Sequence, residues 1–162
     1  MADPMVNRPS KLVSELKQTK PFPTLTQEAL VGIARSASMV DRAVARLTAP
    51  YGLSTAQYNV LRILRGAGPD GMATLAIRER LIDPAAAITR LVDKLDRAGL
   101  LERERTSSDR RCIVCRITAK GLAVLAELDP QLQGIDARLT AVLEPAEVSR
   151  LIELLDRVRE GL

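Results

Sequence analysis

Between residues 83 and 118 the spacing of apolar side chains changes once, at Gly99, from helical to alternating. The chain is thereby limited to folds in which a short amphipathic helix runs directly into a pair of strands. Asp83 and Pro84 are suited to open the helix, one as an N-cap acceptor and the other as a first-turn residue whose missing N–H costs nothing. Ile88, Leu91, Val92 and Leu95 then recur at helical spacing and form one apolar stripe, and Gly99 supplies the stop. Thr89, Arg90, Lys94 and Arg97 fall away from that stripe. Beyond Gly99, LLERERT (100–106) and CIVCRIT (112–118) read as two strands joined by SSDRR.

Upstream, Ser54-Thr55-Ala56-Gln57 has the form of a capping box. It opens a helix with Tyr58, Leu61 and Leu64 on one side, ending near Gly66. A turn follows, then a short helix over 73–82 that directs Leu75, Leu81 and Ile82 toward a core. Two helices meeting across a tight turn, the second of them basic, make a helix-turn-helix, whose second helix enters the major groove of DNA. The hairpin makes it a winged helix.

In this order and at this spacing, LSTAQYNVLRIL (53–64), ITRLVDKLDRAGLLER (88–103) and DRRCIVCRITAKG (109–121) resemble the MarR family of bacterial transcriptional regulators. The flanking helices extend the likeness from about residue 25 to the C-terminus. In similar proteins the arginine matching Arg111 enters the minor groove and the aspartate matching Asp109 holds it in position, with Arg110 beside them, which suits the negative potential of a narrow groove. Ile117-Thr118 stands where the family pattern has Leu-Thr. The likeness also implies that Thr89 and Arg90 face the groove and that Lys94 and Arg97 are placed for phosphates. Arg90 is the candidate for a base edge. Ala85, Ala86 and Ala87 offer no hydrogen bond to a base; they serve either as apolar contacts, for instance to a thymine methyl, or simply as good helix formers.

Charge distribution agrees with this reading. The net charge is +4, but residues 78–120 hold eleven Lys/Arg against seven Asp/Glu while residues 121–162 hold four against eight, so the basic excess sits on the helix and wing. No apolar run reaches the roughly 20 residues that span a bilayer, and MADPMVNRPSK lacks the apolar stretch of a secretion signal. A cytoplasmic protein that needs no membrane is expected.

The expected architecture is mostly α with a small β-hairpin wing, an α+β winged helix-turn-helix over 51–118. A helical dimerisation region over 25–50 and 119–162 and an N-terminal extension over 1–24 complete it. Leu30, Ile33, Ala37, Val40, Val44 and Leu47 form the seam of one long helix. A second runs on from Thr118, and a third opens at Glu144-Pro145 with Val148, Leu151, Ile152, Leu155 and Val158. Three such helices carry more apolar surface than one small winged helix covers, which points to a homodimer. Similar proteins dimerise through these helices, and a two-fold dimer matches a roughly palindromic operator on double-stranded DNA. In the extension, SKLVSELKQ is suited to a short helix that PFP breaks, and Phe22 is a candidate anchor onto the dimer body.

Other chemistries are weaker. Gly66-Ala67-Gly68-Pro69-Asp70-Gly71 fits a G-x-G-x-x-G pattern, but it follows a helix and Pro69-Asp70-Gly71 is turn chemistry, so no nucleotide site is expected. Cys112 and Cys115 form a C-x-x-C with no histidine and no further cysteine to complete a zinc site, and no metal or cofactor is expected. Cys115 falls where similar proteins carry a buried aliphatic. Cys112 lies beside Arg110 and Arg111, whose charge favours the thiolate, so a thiol-based redox-sensing regulator is one alternative. A winged-helix protein-interaction module is another, although it would need no basic wing tip. Without histidine no Ser-His-Asp or Cys-His arrangement is available, and an enzyme is not expected.

The family likeness further implies a repressor that leaves its operator when a small molecule, often an aromatic acid or a phenol, binds between the dimerisation helices and the winged helix. Arg42 and Tyr58 are the candidate ligand contacts, against a plain surface role for Arg42 and a core role for Tyr58.

Overall fold

The computed structural model describes residues 11–105 and 113–162. The first helix, α1 (Lys11–Glu15), stops where Lys17 turns into the left-handed region at φ 52°. There the N–H groups of Lys17 and Gln18 close onto the carbonyls of Ser14 and Val13. Thr24 then accepts from the Gln27 N–H at 3.2 Å, and α2 (Leu25–Thr48) begins. The chain divides into two units, Met1–Arg42 and Ala43–Leu162, with the break inside α2.

In the second unit the expected capping box is closed. The Gln57 N–H donates to Ser54 Oγ at 3.2 Å and the Ser54 N–H donates to Gln57 Oε1 at 3.0 Å. That pair starts α3 (Thr55–Ala67), which buries Tyr58, Val60, Leu61 and Leu64. A 3-10 turn (Gly68–Asp70) leads into β1 (Met72–Ala73) and then α4 (Thr74–Glu79). The glycine-rich stretch is therefore a helix-to-strand turn and not the strand-to-helix loop that a nucleotide needs.

Three elements follow, α5 (Ile88–Arg97), β2 (Leu101–Arg105) and β3 (Ile113–Ile117), and they realise the change of period at Gly99, whose φ is 70°. β2 and β3 pair antiparallel with Leu101 opposite Ile117 and Arg103 opposite Cys115. β1 adds to the other edge of β3, with Met72 opposite Cys115. The long α6 (Ala119–Thr140) runs through Pro130, and α7 (Pro145–Glu160) opens at Glu144 with a capping box to Glu147.

The core gathers α3, α4, α5, the sheet and the first half of α6. Leu61, Leu64, Ile77, Leu95, Leu125 and Leu128 are fully buried, each contributing about 1.5 to 3 kcal/mol relative to exposure. Outside it, Leu30 and Val40 on α2, Leu122 on α6 and Leu151 and Ile152 on α7 are exposed. No helix among the described residues is long and apolar enough to cross a membrane.

Three local expectations are corrected. The helix expected over 73–82 ends at Glu79, because Arg80 and Leu81 close tighter i→i−3 bonds onto Ile77 and Arg78. Ile77 and Leu81, one turn apart, are the buried pair, while Leu75 and Ile82 are 57% and 87% exposed. Asp83-Pro84 does not open α5. The Asp83 carboxylate instead accepts the Ala85 N–H at 3.0 Å and its carbonyl accepts the Ala86 N–H at 3.1 Å, an Asx-type turn that delays α5 to Ile88. The third correction is β1, a two-residue strand absent from the expected hairpin.

Gly121, in the first turn of α6, has no room for a side chain, since a Cβ there would lie 2.2 Å from the Leu100 carbonyl oxygen. Gly121→Ala is expected to lower stability by at least about 2 kcal/mol. Gly66→Ala, at an exposed helical position with nothing within 4 Å of the new methyl, is expected to raise it by about 0.5 to 1 kcal/mol. Urea midpoints of the two variants measure both effects, and equal midpoints would contradict the packing at Gly121.

Candidate nucleic-acid interface

The short α5 buries Val92 and Leu95, with Ile88 and Leu91 half-buried beside them, and so turns Thr89, Arg90, Lys94 and Arg97 to solvent. These four are the residues that the sequence assigned to the groove and the phosphates, and they share one exposed face. Ala86 falls in the turn before the helix, half-buried against the core. That placement gives it a packing role whatever else it touches. Asp109, Arg110, Arg111 and Cys112 lie outside the described residues.

What holds α5 in place was missed in the sequence. At its C-terminal end three backbone carbonyls are taken up by the start of α6. Lys120 Nζ donates to the Ala98 carbonyl at 2.8 Å, the Thr118 hydroxyl donates to Gly99 at 2.7 Å, and the Thr118 N–H donates to Leu100 at 3.1 Å. The same hydroxyl accepts the Gly121 N–H at 3.1 Å, so Thr118 also caps α6. A lysine at a helix C-terminus opposes the negative end of its dipole as well. Ahead of α5, the Ile82 N–H donates to Asn59 Oδ1 at 3.0 Å and ties the turn to α3.

The two acidic residues of α5, Asp93 and Asp96, are held by Arg103 from β2. The hydrogen bond to Asp96, more than the one to Asp93, holds the Arg103 guanidinium still more firmly protonated than usual. On β3, Arg116 pairs with Glu104 of β2 and donates from Nε to the Pro69 carbonyl at 3.1 Å, which fastens the strands to the turn after α3. The signal that could have found Arg103 is its distance past Gly99: a chain that reverses there brings β2 back along the last turns of α5.

The candidate ligand contacts belong to different units. Arg42 is exposed and donates to Ser38 Oγ at 2.7 Å. Tyr58 is 6% exposed in the core, where burial raises its pKa, and the Arg62 guanidinium stands 5.8 Å from its ring centroid. Cys115 is fully buried with its sulfur 3.6 Å from Thr74 Oγ1, and burial raises its pKa too. A pKa raised by desolvation means less thiolate at neutral pH than in a free cysteine. In a Cys112→Ser background the folded protein is therefore expected to consume no thiol reagent at pH 7 to 8, and to titrate one thiol once unfolded in denaturant. Rapid labelling of the folded protein would contradict the burial of Cys115.

Three packed helices, the last of them carrying the exposed cations, with a three-stranded antiparallel sheet docked on them make the frame of a winged-helix transcriptional regulator. The MarR family model matches residues 53–113. The HTH-type transcriptional regulator MhqR of Bacillus subtilis is 30% identical over 108 residues, 67% of this chain and 73% of its own. Among solved structures, a MarR transcription factor from Planctomyces limnophilus is 36% identical with a TM-score of 0.65, covering 84% of this chain and 98% of that one. A mutant of Escherichia coli MarR complexed with operator DNA is 25% identical with a TM-score of 0.69, covering 92% and 99%. The chain belongs to the MarR family, whose members are regulators and not enzymes.

Proposed function

We propose that this DNA-binding transcriptional regulator acts in the cytoplasm as a homodimer, repressing from a two-fold symmetric operator that a small ligand makes it release. The observation that carries the reading is the exposed face of Thr89, Arg90, Lys94 and Arg97 on a helix whose opposite side is fixed in the core. Its cationic side chains suit a helix that lies in a major groove. The operator complex of the E. coli relative supports the same use of this fold.

Dimerisation would use α2, α6 and α7, in keeping with the regions 25–50 and 119–162, because these helices carry the exposed Leu30, Val40, Leu122, Leu151 and Ile152. Residues 51–118 would form the reading module. A two-fold axis would set the two α5 helices about 34 Å apart, one turn of B-DNA. Release by a ligand then requires only that the ligand favour a spacing of the two helices that DNA fits poorly.

The roles divide by chemistry. Arg90 can form a bidentate pair with a guanine edge, whereas Lys94 and Arg97 act as phosphate contacts. Arg90→Ala is expected to relax preference at one or two positions of each half-site, by about 1 to 3 kcal/mol of discrimination. Competition binding with single-base variants of a selected duplex measures this, and uniform weakening across all sequences would make Arg90 a phosphate contact instead. Arg111→Ala, at the wing position the family likeness marks, is expected to weaken duplex binding while dimer and melting temperature stay nearly unchanged. Undiminished binding would remove the wing from the interface.

A further inference from the structure

We propose that Arg103 is a positioning residue for DNA recognition, locking the recognition helix to the wing strands through Asp93 and Asp96; the inference rests on the DNA-reading role of α5 given above. Arg103 stands in the middle of β2, opposite Cys115 of β3. Its side chain reaches back past the 98–100 turn to α5. Nη1 lies 2.6 Å from Asp93 Oδ1, Nη2 lies 2.7 Å from Asp96 Oδ2, and Nε donates to Asp96 Oδ2 at 2.9 Å. One planar fork thus holds two carboxylates three residues apart, on neighbouring turns of the helix.

This geometry fixes more than a distance. A guanidinium bonded through three nitrogens to two residues of a helix resists both sliding and rotation of that helix against the strand, because either movement breaks bonds at both carboxylates. A lysine, with one charged nitrogen, can hold one carboxylate well but not both in this plane. Arg103, Asp93 and Asp96 are each about one-third exposed, so they form the outer edge of the helix–strand junction and not part of its apolar core.

The charges make little sense as DNA contacts. Asp93 and Asp96 interrupt the cationic series Arg90, Lys94 and Arg97 on a helix that approaches a polyanion, and electrostatics alone would favour neutral residues at both positions. As ligands of Arg103 they have a purpose: they spend two negative charges and one positive charge to hold the helix at one angle to the wing. Reading two grooves at once requires that angle, since a helix and a wing that move independently each lose the other's register on the duplex.

The sign of one substitution separates positioning from simple electrostatics. Full-length protein is titrated with a duplex recovered from a random pool and with a scrambled duplex of equal length and composition, at two salt concentrations. Asp93→Asn with Asp96→Asn is expected to cost roughly tenfold in preference for the selected duplex, although two negative charges have left the helix. Arg103→Gln is expected to give the same loss, Arg103→Lys to recover part of it, and the triple variant to be no worse than either. Melting temperatures are expected to stay within a few degrees, as for other partly exposed ion pairs. Tighter binding by the double asparagine variant with preference intact would overturn the proposal. So would an Arg103→Gln variant that loses one unit of salt slope but no preference, since that marks a phosphate contact. A wild-type protein with no preference between the duplexes would instead remove the DNA-reading role on which the proposal stands.

Discussion

At Leu100 three elements meet on one stretch of backbone, and the placement of everything that faces solvent in the reading module depends on it. The last helical residue of α5 is Arg97, the chain turns through 98–100, β2 begins at Leu101, and the first turn of α6 presses so close that Gly121 has no room for a Cβ. Carbonyls that the end of α5 would otherwise leave unpaired are taken by Thr118 and Lys120. A helix of ten residues is too short to be stable alone. It exists because Val92 and Leu95 anchor one side of it in the core and because α6 closes its end. The start of α6 is joined to the 98–100 turn that closes α5 by three hydrogen bonds and one steric contact.

Around this apolar and backbone junction lies a polar shell of a different kind. Asn59 holds the turn before α5, Asp83 closes that turn on itself, and Arg116 fastens β3 to the turn after α3. Asn59 and Arg116 each tie together segments distant in sequence. Their individual contributions to stability are modest in water, and orientation is what they supply. The division is a general one for small reading modules. Burial determines which elements exist, and charged forks and side-chain caps determine the angles at which they are presented.

Much of this was legible in the sequence because it is local. The period change at Gly99, the capping box at Ser54 and Gln57 and the stripe of Val92 and Leu95 each rest on residues within one or two turns of one another, and all three are present in the fold. What was misread depended on competition between local options. Asp83 and Pro84 suit a helix start and an Asx turn equally well, and the turn prevails because Ile82 is already held by Asn59, a residue far away in sequence. β1 could not be seen in two residues, since it exists only by pairing with β3. Arg103, Asp93 and Asp96 read as three unremarkable surface charges until β2 folds back along α5. The exposed face of Thr89, Arg90, Lys94 and Arg97, by contrast, followed from the stripe alone, because whatever is not on the buried side of so short a helix must face water.

In the proposed dimer, two copies of α5 face one duplex. Selection of bound duplexes from a random pool, followed by sequencing, tests it most directly. Such a dimer requires a recovered motif with two-fold symmetry whose half-sites lie one helical turn apart, about 10 to 10.5 base pairs between centres. A motif with no symmetry, or with half-sites at variable spacing, would contradict it.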